Sequence, residues 1–127
     1  MTAAIDTVLA SARTRLERLS PRDAAAAAEA GALLVDIRPQ INRDAEGEIP
    51  GALVIDRNVL EWRLDPASDA RISEASYEAW IVLFCNEGYA SSLAATSLQD
   101  LGIICATDLV GGYRAWRTAG LPTTPVL

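Results

Sequence analysis

The chain has 127 residues, half of them hydrophobic, and a formal net charge of −6. That suits one compact domain with a single apolar core, and it excludes a broad basic nucleic-acid surface or a polybasic membrane patch. All 11 cations are arginine and histidine is absent, which removes Cys–His, Ser–His and histidine–metal chemistry together. A general base must then be a carboxylate, the amino terminus, a thiolate or water. Two cysteines, Cys85 and Cys105, are too few for a disulfide framework or a four-thiolate zinc site. They point to a reducing compartment, with the cytoplasm as the expected location.

Residues 3 to 19 carry Ile5, Val8, Leu9, Ala12, Leu16 and Leu19, spaced as one apolar helical stripe. The early Asp6 and the lack of a long apolar run exclude a signal peptide or a membrane span. "SPRDAAAAAEAG" predicts a second helix, with Ser20 as its N-cap, Pro21 at its first position and Gly31 at its stop. "ALLVDIR", 32 to 38, is a short buried strand, and "PQINRDAEGEIPGA" reads as a loop. "LVID", 53 to 56, is a strand, followed by a short helix in "RNVLEWRLDP" that Pro66 stops. "PASDARISEASYEA" is a further loop. "WIVLFC", 80 to 85, is a continuous apolar strand of the kind covered on both faces. "SSLAATSLQDLG", 91 to 102, is a helix with a serine cap. "CATDLVGG", 105 to 112, is a strand, and "YRAWRTAG", 113 to 120, is a last helix. Strands alternating with helices predict an α/β domain with a mainly parallel sheet.

Ligands of such sheets bind beyond the carboxyl ends of the strands, and Cys85 stands at one. The segment Asn86 to Ser91 can curl so that its N–H groups form an anion-binding nest, helped by the positive end of the following helix. Gly88 supplies a residue free to adopt positive φ. A thiolate held there is a nucleophile. A free cysteine is also commonly a small buried hydrophobe, and both readings stand on the residues alone.

"CNEGYAS", 85 to 91, resembles the active-site loop of the rhodanese (sulfurtransferase) family, usually C-x-x-G-x-R followed by a small residue. "LLVDIRP" resembles that family's first strand motif, and "GEIPGA", 47 to 52, its Gly-His-Ile-Pro-Gly-Ala turn. "LVGGYRAWRTAGLP", 109 to 122, resembles its closing motif. The resemblance spans roughly residues 20 to 122. It implies a three-layer rhodanese-like domain over 20–127, with a central mainly parallel sheet and helices on both faces; the N-terminal helix, 1–19, lies outside the resemblance. It also implies that Cys85 takes the outer sulfur of thiosulfate or a persulfide and passes it, as a persulfide, to a thiol acceptor that could itself be a protein. No metal, organic cofactor, nucleic acid or membrane is implied. The loop of six residues from Cys85 to Ala90 matches sulfur-transferring members, whereas the related phosphatases have one residue more.

Two loop residues depart from the family. Ala90 stands where arginine is usual, and Glu87 adds a negative charge. Both make the pocket less cationic, which disfavours doubly charged thiosulfate and favours a neutral or protein-bound persulfide, unless an arginine from elsewhere pairs with Glu87. Arg57, Arg63 and Arg38 are the candidates, with Arg38 the one expected to pair with a carboxylate and hold the loop. Asn86, Glu87, Gly88, Tyr89, Ala90, Ser91 and Arg57 are thus the expected substrate-binding residues around Cys85. Tyr89 is a rim aromatic or an exposed loop tip. Trp62 lines the same mouth or, as is commoner for an aromatic in a short amphipathic helix, packs in the core; Trp80 and Trp116 are expected to pack and Cys105 to be structural. The competing function is a non-catalytic interaction or redox-sensing domain on the same fold. The N-terminal helix either covers the core or pairs two chains.

Overall fold

The computed structural model describes residues 3–126. Four strands form one parallel sheet: β1 (Leu33–Asp36), β2 (Leu53–Val54), β3 (Ile81–Phe84) and β4 (Ala106–Asp108), in the order β2-β1-β3-β4. Six helices surround it: α1 (Ala4–Arg13), α2 (Pro21–Glu29), α3 (Gln40–Glu46), α4 (Leu60–Leu64), α5 (Ala90–Asp100) and α6 (Gly112–Thr118). Among the described residues none is long and apolar enough to cross a membrane. The α/β class and the parallel sheet agree with the sequence reading.

β1 and β3 lie at the centre and are buried on both faces, which explains their unbroken apolar runs. On one face Val35, Leu83 and Ile81 pack with Leu60 and Leu64 of α4 and Ala94, Ala95 and Leu98 of α5. On the other, Leu34, Val82 and Phe84 meet Ala24 and Ala27 of α2 and Tyr113 and Trp116 of α6. The alanine run of α2 lets that helix lie close on the sheet. Its predicted cap is real: the Ser20 hydroxyl accepts from the Asp23 N–H at 3.2 Å. The chain passes from β1 outward to β2, then returns to place β3 on β1's other side. The crevice beyond β1 and β3 is therefore the topological switch point of the sheet. Cys85 follows β3 directly.

Several elements differ from the sequence reading. The first helix ends at Arg13, not at residue 19. Beyond it Leu19 bridges Leu109 in extended form, donating to Asp108 O at 3.0 Å and accepting from Val110 N at 2.8 Å. Ile5 and Val8 of the predicted stripe are exposed, and only Leu9 and Ala12 of α1 are buried. The stretch read as a loop after β1 contains α3. That helix buries none of its residues, so it has no apolar periodicity to betray it. It is held instead by polar contacts, the Tyr113 hydroxyl donating to Glu46 O at 2.7 Å. The extended part of "CATDLVGG" is only Ala106–Asp108, because Gly111 and Gly112 turn into α6. Trp116 packs as expected, but Trp62 and Trp80 are substantially exposed.

Candidate active site

Cys85 leaves β3 half-buried, and the loop it opens is shaped by what its carbonyls bind. The Cys85 carbonyl accepts from Tyr113 N at 2.9 Å and the Asn86 carbonyl from Arg114 N at 3.1 Å, both in the first turn of α6. The Gly88 carbonyl accepts from two guanidinium groups, Arg13 at 2.8 Å and Arg18 at 3.0 Å. A trans peptide points its C=O and N–H in opposite directions. Fixing these three carbonyls outward therefore turns the N–H groups of Asn86, Glu87 and Tyr89 to the other side. Among the described residues those N–H groups, and that of Ala90, find no acceptor. Gly88 donates its N–H to Cys85 Sγ at 3.1 Å. A row of free N–H donors beside a sulfur is an anion cradle built of backbone, with the positive end of α5 opening from it.

Two glycine contacts make this curl possible. Gly88 has φ of 89°, and a Cβ there would lie 2.8 Å from Gly111 N. Gly112 has φ of 64°, and its Cβ would lie 2.5 Å from the Cys85 carbonyl. The Gly-Gly turn and the cysteine loop thus touch backbone to backbone.

Below the sulfur is a buried polar chain. Cys85 Sγ lies 3.4 Å from Ser91 Oγ, and the Ser91 and Ser92 hydroxyls each donate to Asp108 Oδ2 at 2.8 Å. Asp108, wholly buried at the end of β4, is paired with Arg18 at 2.8 Å. Ser91 is therefore not the helix cap expected of it. α5 begins at Ala90 with Tyr89 at the N-cap and no side-chain cap, and the Ser91 side chain faces inward.

Beside the loop lies a second network. Arg38 is buried and pairs with Asp36, as expected of it, through Nε at 3.0 Å and Nη2 at 2.8 Å. It also donates to Gly47 O at 2.8 Å and to Asn86 Oδ1 at 3.4 Å, and its guanidinium covers the Tyr113 ring at 4.0 Å. Asn86 in turn donates to Glu46 at 2.7 Å. Glu46 binds Arg114 at 2.9 Å, and Arg114 reaches Glu87 at 3.0 Å. The partner of Glu87 is thus Arg114, none of the three arginines the sequence suggested. Arg57 pairs with Glu61 at 2.9 Å on its own helical turn, and Glu61 accepts from Ser97 at 2.6 Å. That gives Arg57 a partner on the α4–α5 side, with no bond to the loop among the described contacts. Arg63 donates to Ala70 O. Tyr89 is exposed at the rim, with Arg13 over its ring at 5.7 Å.

Glu46 ties α3, Asn86 and α6 together, and its hydrogen bond from Arg114 holds its carboxyl at about 2, well below the usual 4.5. A depressed carboxyl stabilises the fold fully above its unfolded value and loses that contribution as pH falls through the folded one. The window is therefore roughly pH 4.5 down to 2. Arg114 is half exposed, so screening leaves about 1 kcal/mol of the effect. Glu46→Gln should destabilise the protein by that amount at neutral pH and by nearly nothing at pH about 2. Denaturant melts across the window test this, and a gap that stays constant with pH would refute it.

Cys105 is exposed, not structural. It precedes β4 while Cys85 follows β3, so the two thiols lie beyond opposite ends of these paired parallel strands, out of disulfide reach. Among the described residues no acidic, cysteine or histidine cluster could hold a metal.

A model of the rhodanese-like domain family matches residues 20–119. Over 106 residues the chain is 33% identical to thiosulfate sulfurtransferase GlpE of Pseudomonas fluorescens (strain SBW25), covering 83% of this chain and 88% of that protein. Its structure matches that of a protein of unknown function from Rhodopseudomonas palustris CGA009, described as a possible tyrosine phosphatase, with a TM-score of 0.87 and 33% identity, over 98% of this chain and 96% of that one. A thiosulfate sulfurtransferase from Pseudomonas aeruginosa matches with a TM-score of 0.68 and 27% identity, over 86% of this chain and 17% of that one.

Proposed function

The chain belongs to the rhodanese-like domain family, and from that premise we propose that it is a sulfurtransferase whose sulfur carrier is Cys85. The observation that carries this reading is the sulfur itself, hydrogen-bonded by Gly88 N–H and bordered by N–H groups that find no acceptor among the described residues.

The Cys85 thiolate attacks the outer sulfur of thiosulfate or a persulfide. A sulfur–sulfur bond forms to Cys85, and the donor's own bond to that sulfur breaks with its electron pair leaving on sulfite or on the donor thiolate. The new terminal sulfur, an anion, lies among the N–H groups of Asn86, Glu87, Tyr89 and Ala90, where fixed dipoles stabilise it without reorganisation. An acceptor thiolate, or cyanide, then attacks that sulfur and Cys85 departs as the thiolate. Ser91 serves both states. Toward a thiol its oxygen accepts, while its proton goes to Asp108. Toward a thiolate the hydroxyl turns to donate, and Asp108 keeps Ser92 and Arg18. No step calls for histidine, in keeping with its absence from the sequence.

The rhodanese-like domain runs from 20 to 127 in this reading, with 1–19 as an addition to it. The free thiols suit a reducing compartment such as the cytoplasm. A tyrosine-phosphatase reading, suggested by the Rhodopseudomonas palustris relative, lacks support at the loop. Position 90 has no guanidinium to make the bidentate contacts a phosphoryl group requires.

The test is the intact mass of the protein after exposure to thiosulfate and, separately, to a small persulfide. One added sulfur on the wild type, absent from Cys85→Ser and removed by cyanide, is the expected result. Cys85→Ser should lose sulfur transfer entirely while melting within about 1 kcal/mol of the parent. No added sulfur from either donor, with Cys85 still open to alkylation, would move the assignment to an interaction domain.

A further inference from the structure

We propose that Arg13, from the helix outside the family match, is a positioning residue of the Cys85 pocket that supplies from behind the loop the positive charge missing at Ala90. The proposal rests on the sulfur-transfer reading for the identity of the anion, an anionic sulfur donor such as thiosulfate, but not for the charge.

Three observations carry it. The first is geometry. Arg13 Nη2 donates to Gly88 O at 2.8 Å and Nε to Ser92 Oγ at 3.1 Å, with the guanidinium over the Tyr89 ring at 5.7 Å. By holding the Gly88 carbonyl, Arg13 aims the Tyr89 N–H into the cradle and polarises that peptide. The second is charge. Every carboxylate around the loop has a guanidinium of its own: Asp108 has Arg18, Asp36 has Arg38, Glu87 has Arg114, and Glu46 has Arg117 at 3.7 Å besides sharing Arg114. Arg13 alone of this group has no ion-pair partner among the described residues, and its Nη1 makes no hydrogen bond there. A surplus cation is thus pinned against the loop of an otherwise acidic chain. The third is the sequence. Ala90 removes the loop's own arginine, while Glu87, which taken by itself makes the pocket anionic, is compensated by Arg114. The expectation that thiosulfate binds poorly holds only where no arginine from elsewhere offsets the loop, and Arg114 on Glu87 together with Arg13 on Gly88 O does so. A lysine would supply the charge from a single nitrogen, without the planar fork that presents Nε and Nη2 to the two acceptors.

The test compares alkylation of Cys85 by iodoacetate, an anion, and iodoacetamide, which is neutral, at one pH in a Cys105→Ser background. Their rate ratio cancels the thiolate fraction and general accessibility, so it reads the local charge. Arg13→Gln should lower the ratio about threefold, the size of one screened, half-buried charge, and raise KM for thiosulfate by a similar factor. Arg13→Lys should retain most of the ratio, and Ala90→Arg added to Arg13→Gln should restore it. A ratio unchanged in a folded Arg13→Gln, even one that melts lower, would overturn the proposal and leave Arg13 only a structural tether. Should Arg13→Gln not fold, Arg13→Lys against Arg13→Met carries the same comparison, with equal ratios overturning it. If the ratio falls as expected but the parent takes up no sulfur, Arg13 keeps its role and the sulfur-transfer reading is what fails.

Discussion

Replacing Arg38 by methionine should lower the melting temperature by roughly 10–20 °C, a larger loss of stability than at any other position considered. Both Arg38 and Asp36 are buried to within 2% of complete. The pair makes charge-assisted contacts at 3.0, 3.2 and 2.8 Å, and the Arg38 backbone N–H adds a fourth to the same carboxylate at 2.9 Å. Removing one partner strands the other charge without water, which costs about 3–5 kcal/mol, far more than the intact pair contributes net. The Gly47 carbonyl and the Asn86 side chain would lose a donor as well. The double variant Asp36→Asn with Arg38→Met should recover part of the loss, because no unpaired charge is left. Thermal melts of both variants beside the parent decide the matter. If the single variant melted within about 2 °C of the parent, or the double one melted lower still, a stranded charge would not be the main cause of the loss.

The same pair shows where sequence reasoning ends. "LLVDIRP" marks a strand running into Asp36 and Arg38, and their pairing is local enough to expect from a separation of two residues. Cys85, Gly88 and the alternation of strands and helices are legible for a like reason: each is carried by a short contiguous pattern. What stays hidden depends on separation along the chain. Arg13 and Arg18 reach Gly88 across 75 and 70 positions, and Arg114 reaches Glu87 across 27. A lone arginine on an exposed helix carries no mark of the carbonyl it will meet. Asp108 reads in the sequence only as a member of a short strand, although it anchors Ser91, Ser92 and Arg18 from beneath the loop. Ser91 misleads for a physical reason. Serine before an apolar helical run is a good cap, but here a buried carboxylate outcompetes the helix end for its hydroxyl.

Gly112→Ala should lower sulfur transfer about a hundredfold while Cys85 remains present and alkylatable, because the substitution moves the loop, not the nucleophile. The α6 turn and the cysteine loop meet at Gly112. A Cβ there would stand 2.5 Å from the Cys85 carbonyl and 2.7 and 2.8 Å from the Asn86 carbonyl carbon and oxygen. These are backbone atoms, which cannot swing aside as a side-chain tip does. Relief must come from parting α6 from the loop, and that weakens the Tyr113 and Arg114 N–H bonds that hold the Cys85 and Asn86 carbonyls outward. The N–H groups of Asn86 and Glu87 then lose their fixed aim, and preorganised donors are what stabilise a charge forming in the transition state. Gly120 separates this effect from backbone strain. Its φ of 77° is also left-handed, but nothing lies within 4 Å of where its Cβ would be. Gly120→Ala should therefore cost about 1 kcal/mol of stability for the left-handed backbone and leave transfer unchanged. Steady-state transfer from thiosulfate to cyanide and thermal melts on the two variants make the comparison. Equal activity in both would mean that the Gly112 contact has no hold on the loop.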